Sequence, residues 1–265
     1  MRTKLILILS CCSLAYAQPS RISDNSFLIE EAYNQERGVV QHIVLLDKDW
    51  HTKDLGLSFA QEWPLGGQMW QGAYAVSADW EFKEVWLDLQ LRYQLWSRDG
   101  LAVAPSIAFS TSTAIKEANS QIDNKFRVGI PISSELSQRL AFHLNGSIES
   151  YGYTQSGVSG AFPSQLGMSY SAYVPELGGS LVYQIKPTLD ILVECIYSKT
   201  IKIFTEDITE TTVEAVISPG FRHAWNFSSG AQMVGGFGLP IGLTDDVPDV
   251  SGLFYLSFEH SFLKQ

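Results

Sequence analysis

Ionisable and hydrogen-bonding residues recur at every second position in several stretches of the chain. Carboxylates, amides, an imidazole and a guanidinium are represented, and such groups bind polar solutes or exchange protons. The set comprises Asp88, Gln90, Arg92, His143, Asn145, Ser147, Glu149, Asp190, Glu194, Ser257, Glu259 and Ser261. Successive side chains of a β-strand point to opposite faces, so a period of two places the members of each stretch on one face of a strand. We therefore expect a polar surface lined by a sheet.

Two interpretations of this polar surface stay open. In the first it lines a pore that binds and passes a solute, with these candidate lining residues: Asp88, Gln90, Arg92, His143, Asn145, Glu149 and Glu194. In the second the same groups form a hydrogen-bonded network that braces the wall, because buried charges need partners. One residue can serve both purposes.

Hydrolysis is a further chemistry to consider, because His143, Ser147 and Glu149 share a face. Ser147 lies about 13 Å along a strand from His143, so a nucleophile and its base would need a partner from a neighbouring strand. The sequence has no nucleophile elbow, no His-x-x-x-His pair and no phosphate-binding loop. The acidic stretches at 206–210 and 245–249 lack the spacing of a calcium loop. We predict no catalytic residue, no metal site and no cofactor.

The clearest of the elements that position these residues is a hairpin at 84–112. In its first arm two sets alternate strictly: Val85, Leu87, Leu89, Leu91, Tyr93 and Leu95 with Trp86, Asp88, Gln90, Arg92, Gln94 and Trp96. Asp99-Gly100 marks a tight turn, and the second arm pairs an apolar face with a face of small Ala and Ser residues. Both arms exceed the usual strand length of about 5–6 residues. A strand that crosses a bilayer needs about 9–11 residues with an apolar lipid-facing side, so the hairpin predicts two strands of a membrane barrel.

The same alternation predicts twelve strands in all. They are expected at 40–46, 55–63, 68–80, 84–96, 101–112, 126–132, 140–148, 177–185, 189–197, 211–223, 228–241 and 251–262. Connections after even-numbered strands are short and most of the others are longer, which is typical of outer-membrane barrels with both termini in the periplasm. Trp63, Trp96 and Trp225 are predicted at the periplasmic rim, and Trp50, Trp80 and Trp86 near the outer rim. We predict an all-β, antiparallel transmembrane β-barrel; a periplasmic β-sandwich would explain the alternation but neither the strand lengths nor the loop asymmetry.

Residues 1–17 have the pattern of a signal peptide. Arg2 and Lys4 precede an apolar stretch, and Ala15-Tyr16-Ala17 matches a cleavage site. A lipoprotein signal at Cys11 and Cys12 is the alternative, although cleavage there would leave a very short apolar core. Removal of residues 1–17 leaves Cys195 alone, without an internal disulfide, and changes the net charge from −10 to −12 through loss of Arg2 and Lys4. So acidic a chain offers no basic surface to nucleic acid.

Residues 26–42, which read SFLIEEAYNQERGVVQH, resemble the start of an outer-membrane β-barrel family named after the meta-cleavage pathway of phenol degradation. Further similarity lies at 59–64 (FAQEWP), 92–95 (RYQL), 102–105 (AVAP) and 236–242 (GFGLPIG). Where the family pattern has a Gly-Asp pair before the RYQL strand, this chain has Trp86-Leu87. The resemblance implies a transporter in the outer membrane of a Gram-negative bacterium, with small hydrophobic or aromatic solutes. Outer-membrane lipid and the barrel assembly machinery are the other expected partners.

The predicted organisation is a signal peptide at 1–17, a periplasmic N-terminal segment at 18–38 and the barrel at 39–265. The segment mixes apolar and charged residues, so it suits neither free exposure to water nor contact with lipid. We expect it to fold against the periplasmic mouth or to enter the lumen as a plug, with Glu30 and Glu31 paired to Arg92 or Arg127. The candidate plug residues are Phe27, Glu30, Glu31, Tyr33 and Arg37. A gate and a passive brace both remain open for this segment, and a lipid hydrolase or a structural or adhesive barrel remain alternatives to a channel.

Overall fold

The computed structural model describes residues 26–114, 124–154, 169–205 and 208–262, so the predicted signal peptide lies outside the described residues. Fifteen strand segments form one sheet within these ranges. They are β1 (Val39–Asp49), β2 (Leu55–Pro64), β3 (Trp70–Asp79), β4 (Glu84–Tyr93), β5 (Trp96–Arg98), β6 (Leu101–Val103), β7 (Ser106–Ala114), β8 (Asn124–Glu135), β9 (Leu140–Thr154), β10 (Ser169–Lys186), β11 (Leu189–Thr205), β12 (Ile208–Asn226), β13 (Gln232–Gly238), β14 (Ile241–Gly242) and β15 (Ser251–Ser261). In the described ranges no helix is long and apolar enough to cross a membrane.

The sheet closes on itself as a barrel. Strands that follow one another in the chain pair antiparallel, and β1 pairs with β15 from Val39↔Ser261 to Asp49↔Ser251. Three barrel strands are each interrupted once, giving the segment pairs β4/β5, β6/β7 and β13/β14. One interruption falls at Pro105, which has no N–H to give to the ladder. The result is a closed antiparallel barrel of 12 strands, which confirms the predicted fold class.

The two faces of the wall differ as the alternation predicts. Large apolar side chains point outward and are exposed on nearly every strand; Leu89, in the middle of β4, is 49% exposed. The inward side chains are small or polar, and many of them are buried. An outward apolar face of this extent suits lipid rather than water.

Four sequence predictions need correction. The strands β10, β11 and β12 are 18, 17 and 19 residues long, well beyond the predicted bounds. The loop predicted at 205–210 is therefore wrong, because Thr205 pairs with Ile208; residues 206–207 lie outside the described part. Trp86 does not join an aromatic rim, since it has the inward parity of Asp88 and its ring lies 4.2 Å from Lys125 Nζ. The sequence also predicts a long loop at 151–169, whereas β9 continues to Thr154 and β10 begins at Ser169; residues 155–168 lie outside the described part.

The two ends of the barrel are named here by their connections. At the turn end lie the start of β1, the end of β15 and the connections 65–69, 99–100, 136–139, 187–188 and 227–231. At the loop end lie 50–54, 80–83 and 243–250. Gly38 leads into β1 at the turn end with φ +80°, a left-handed conformation that glycine adopts without strain, and its carbonyl accepts a hydrogen bond from Phe262 N at 2.8 Å. The segment that precedes β1 is therefore connected to the barrel wall at the turn end.

Candidate functional site: a chain segment inside the barrel

Residues 26–36, called the lumen segment below, run inside the barrel. Phe27, Ile29, Glu31 and Ala32 are all buried, and Ala32 has no exposed surface. Ala32 packs against Ala102 and Ala104, with Tyr33 beside them. The small residues on the inward face of β6 and β7 thus leave room for the segment.

Phe27 occupies a socket whose walls are glycines. A Cβ atom on Gly236 would lie 2.5 Å from the Phe27 ring, and one on Gly220 would lie 2.8 Å from it. Gly238 is nearly as close, and the Tyr255 ring lies on another side with its centroid 5.4 Å from that of Phe27. Because larger residues in β12 and β13 would fill this space, the glycines create the socket.

Wall side chains hydrogen-bond the backbone of the lumen segment along its length. Each residue from 28 to 35 has at least one backbone N–H or carbonyl bonded in this way. The N–H donors are Leu28 and Ile29 to Glu194 Oε1 (2.8 and 3.1 Å), Ala32 to Ser133 Oγ (2.7 Å), Asn34 to Gln94 Oε1 (2.9 Å) and Gln35 to Gln71 Oε1 (2.7 Å). The carbonyls of Glu31 and Tyr33 accept from Arg92, and that of Ala32 from Gln94. With its amide oriented to satisfy both groups, Asn145 accepts from Glu30 N at 2.7 Å and donates to Glu30 O at 3.0 Å.

Arg92 is the centre of the contacts from β4. Its guanidinium donates to the carbonyls of Glu31 and Tyr33, each at 3.0 Å, and to Asn34 Oδ1 at 2.9 Å. Carboxylate oxygens of Glu30 and Glu62 lie 3.7 and 3.9 Å away. The planar fork of an arginine suits several acceptors at once, so one buried side chain holds much of the segment.

A second charged cluster holds the segment to the opposite side of the wall. Arg222 lies 3.1 Å from Asp190 and 3.3 Å from Glu31, both of which are buried. Glu31 also lies 3.6 Å from His143 Nε2. Burial of ionised groups is costly unless they are paired, and here each has an oppositely charged or hydrogen-bonding partner.

In the same cluster a serine, a histidine and a carboxylate contact one another in turn. Ser133 Oγ lies 2.7 Å from Nδ1 of His143 on the neighbouring strand. The other ring nitrogen of His143, Nε2, lies 3.6 Å from Glu31 Oε1. A nucleophilic serine must also reach its substrate. Ser133 is fully buried and its Oγ accepts the N–H of Ala32, so in this arrangement the trio braces the segment.

The structure brings most of the sequence-predicted residues to one place. Arg92, His143, Asn145 and Glu194 contact the lumen segment, and Gln90 Nε2 donates to Glu30 at 2.9 Å. Asp88 and Glu149 lie toward the loop end, where Asp88 accepts from Ser110 and Glu149 lies 3.7 Å from Lys125.

Among the plug candidates, Phe27, Glu30, Glu31 and Tyr33 lie in the lumen, whereas Arg37 is exposed at the turn end. Of the two cations suggested as partners, Arg92 pairs with Glu30, while Arg127 borders a small cavity beside it. The structure adds wall residues to the site that the sequence does not single out: Glu62, Gln71, Gln94, Ser133, Ser180 and Arg222. Their inward parity was the available signal.

A cavity of about 290 Å³ lies at the turn end, between the segment and the wall. Tyr33 and Asn34 of the segment border it together with Gln94, Gln184 and Arg222 of the wall. Among the described residues, no cluster of three or more His, Cys, Asp or Glu side chains could hold a metal ion.

Comparison with known proteins identifies the class of fold. No protein-family model and no curated protein matches this chain. Solved structures do match: the COG4313 outer membrane channel from Pseudomonas putida F1 has a TM-score of 0.55 at 10% identity, covering 88% of this chain and 98% of that chain. The NanC porin has a TM-score of 0.54 at 10% identity, with coverage of 84% and 100%. The KdgM porin in complex with disordered oligogalacturonate has 0.50 at 8% identity, with coverage of 85% and 99%.

The chain thus has the fold of an outer-membrane β-barrel. Together with the outward apolar face, this fold places the protein in the bacterial outer membrane. The resemblance of residues 26–42 to the phenol-degradation family stays a prediction, because no family model matches.

Proposed function

We propose that this protein is an outer-membrane channel for small solutes and that the lumen segment is its gate. One observation carries the proposal: the segment is bonded to the wall on opposite sides, by Arg92 of β4 and by Glu194 and Arg222 of β11 and β12. A chain held across the lumen in this way blocks the passage of solutes. With both termini on the periplasmic side, the turn end faces the periplasm and the gate lies near that mouth.

The solutes that we propose are small and hydrophobic or aromatic. The resemblance of residues 26–42 suggests this class, and the Phe27 socket supports it, because an aromatic ring already fits there. Inward apolar residues of β1 and β15 extend the same side of the lumen: Leu253 and Tyr255 belong to the apolar cluster that contains Phe27, and Ile43 and Leu45 pack against that cluster. A solute that replaced the Phe27 ring would find an apolar surface on its path.

The solved structures of similar fold include two porins and an outer-membrane channel, which supports a channel rather than an enzyme. A lipid hydrolase would need a nucleophile that reaches lipid, whereas Ser133 is buried on the inner face. As a membrane barrel, the chain is expected to need the barrel assembly machinery for insertion.

Deletion of residues 26–36 tests the gate. Once the segment is absent, water can fill the lumen and solvate Arg92, Glu194 and Arg222, so the barrel should still form. We expect single-channel conductance in planar bilayers to rise and selectivity among small solutes to fall. Assembly is checked by heat-modifiable migration on gels.

A passive brace predicts the opposite pattern, with poor assembly and unchanged conductance for each inserted barrel. A matched variant replaces 26–36 with a Gly-Ser stretch of equal length. If contacts with the wall close the pore, this variant should conduct like the deletion; conductance as low as that of the intact protein would contradict the proposal.

A further inference from the structure

The lumen wall bonds the backbone of the lumen segment as well as its side chains. Every residue from 28 to 35 has a backbone group bonded to a wall side chain, whereas the segment adds no strand to the sheet. Backbone N–H and carbonyl groups are the same in every peptide apart from proline. The backbone bonds to this wall therefore do not themselves depend on the sequence of a bound peptide.

The wall groups follow a peptide chain that bends at residues 27–29 and at Ala32. Arg92 donates to the carbonyls of Glu31 and Tyr33, which lie on either side of the bend at Ala32. Asn145 bonds both the N–H and the carbonyl of Glu30, and Glu194 accepts two successive N–H groups. Main-chain hydrogen bonds of this kind give affinity in many peptide-binding sites.

Two side-chain pockets add selectivity. The first is the glycine-walled socket of Phe27, and the second lies two residues further along, where Ile29 packs tightly on Gly178. Because the chain bends at residues 27–29, the two side chains reach different strands: Phe27 lies against β12 and β13, and Ile29 lies against β10. A ligand with an aromatic residue and then an aliphatic residue two positions later fits both pockets.

We infer that the wall covered by the lumen segment is a binding site for short peptides in the conformation of this segment, and that the segment occupies it as an internal mimic of the solute. This inference rests on the proposed gate and narrows its solute class. A peptide and the segment compete for the same wall groups, so entry of the peptide accompanies release of the segment.

The test uses the full-length barrel with residues 26–36 deleted and a synthetic peptide of residues 26–36, acetylated and amidated at its ends. We expect the peptide to bind the deleted barrel and to reduce its conductance. N-methylation of the amides at Leu28, Ile29 and Ala32 should weaken binding at least about tenfold, because three hydrogen bonds are lost while every side chain stays.

An alanine-based peptide with Phe at its second position and Ile at its fourth separates recognition of peptides in general from recognition of this segment alone. Block by this peptide supports the inference, whereas block by the native peptide only would overturn it. Equal binding of the N-methylated and parent peptides would overturn it too. In the barrel that lacks residues 26–36, Glu194→Ala should weaken binding of the parent peptide. Asp88→Ala, toward the loop end, should leave that binding unchanged.

Failure of the gate is distinguishable from failure of this inference. If the deletion opens the pore and no peptide binds, the gate stands and the peptide site is wrong. If the deletion leaves conductance unchanged, the gate is wrong, and calorimetry on the detergent-solubilised barrel still reports whether the peptide binds.

Discussion

Glycine has an unusual role at the residue scale in this barrel. In a strand, glycine usually weakens the sheet, because it has no side chain to pack. Gly220, Gly236 and Gly238 instead leave room for the Phe27 ring, and their value lies in the volume that they leave empty. Sequence alone places these glycines on strands but cannot indicate what fills the space, because Phe27 lies about two hundred positions earlier in the chain.

A single methyl group at this socket tests the docking of the segment. We expect Gly236→Ala to weaken docking by about 1–3 kcal/mol, since overpacking forces neighbours to move, and therefore to raise conductance. Phe27→Ala removes the ring with which the new methyl group would clash. Gly236→Ala should therefore raise conductance less in a Phe27→Ala background than in the unmodified protein.

The control for the methyl group is Gly146→Ala on β9, where a Cβ atom would meet nothing within 4 Å. Conductance of this variant should equal that of the unmodified protein. If Gly236→Ala also leaves conductance unchanged, the socket does not hold the gate.

At the element scale, the alternation of apolar and polar residues determines which face of each strand meets lipid. Leu89 and Gln90 are neighbours in the middle of β4, with Leu89 exposed outward and Gln90 turned inward onto Glu30. We expect Leu89→Arg to destabilise the inserted barrel by about 2–4 kcal/mol, because an arginine then faces hydrocarbon. Gln90→Arg should cost much less, because the new cation meets the Glu30 carboxylate.

Chemical denaturation of the barrel folded into lipid vesicles measures both changes. Equal stability of the two variants would mean that the faces of β4 are assigned the wrong way round.

Alternation also explains how much of the fold could be predicted. It is a local property with a period of two, so the number of strands, their order and their faces were readable from sequence. Strand ends were less readable, because β10 to β12 continue past the length that a bilayer demands and no turn residue stops them there. The sequence predicts unbroken fourth and fifth barrel strands, whereas the structure interrupts them at 94–95 and 104–105, the second at Pro105.

The candidate site was only partly predictable for the same reason. Alternation along the strands predicts that the inward face carries Arg92, His143, Asn145 and Glu194. The mixture of apolar and charged residues at 26–37 predicts that this segment packs against the barrel or enters it. The pairs themselves join distant parts of the chain: Glu31 meets Arg222, which is 191 positions away. Sequence patterns carry no information about such a pairing.

At the scale of the whole molecule, the function proposed here depends on one motion, that of the lumen segment relative to a rigid barrel. Ser26 Oγ and Ser180 Oγ lie 3.0 Å apart, so the far end of the segment touches β10. Cysteines at both positions, in a Cys195→Ser background, should form a disulfide after a small adjustment, because bonded sulfurs lie about 2.05 Å apart. The oxidised barrel holds this end of the segment against the wall.

We expect the oxidised barrel to exclude solutes that liposomes containing the reduced barrel take up, and we expect reduction to restore uptake. A control with Ser180→Cys in the Cys195→Ser background, and with Ser26 unchanged, should respond neither to oxidation nor to reduction, since its cysteine has no partner for a disulfide. The disulfide also keeps the lumen segment on the wall groups that an added peptide would need. The peptide of residues 26–36 should therefore bind the reduced form better than the oxidised form. Equal uptake by both forms would mean that the pore conducts without moving this end of the segment, and the gate would then have to lie elsewhere in the lumen.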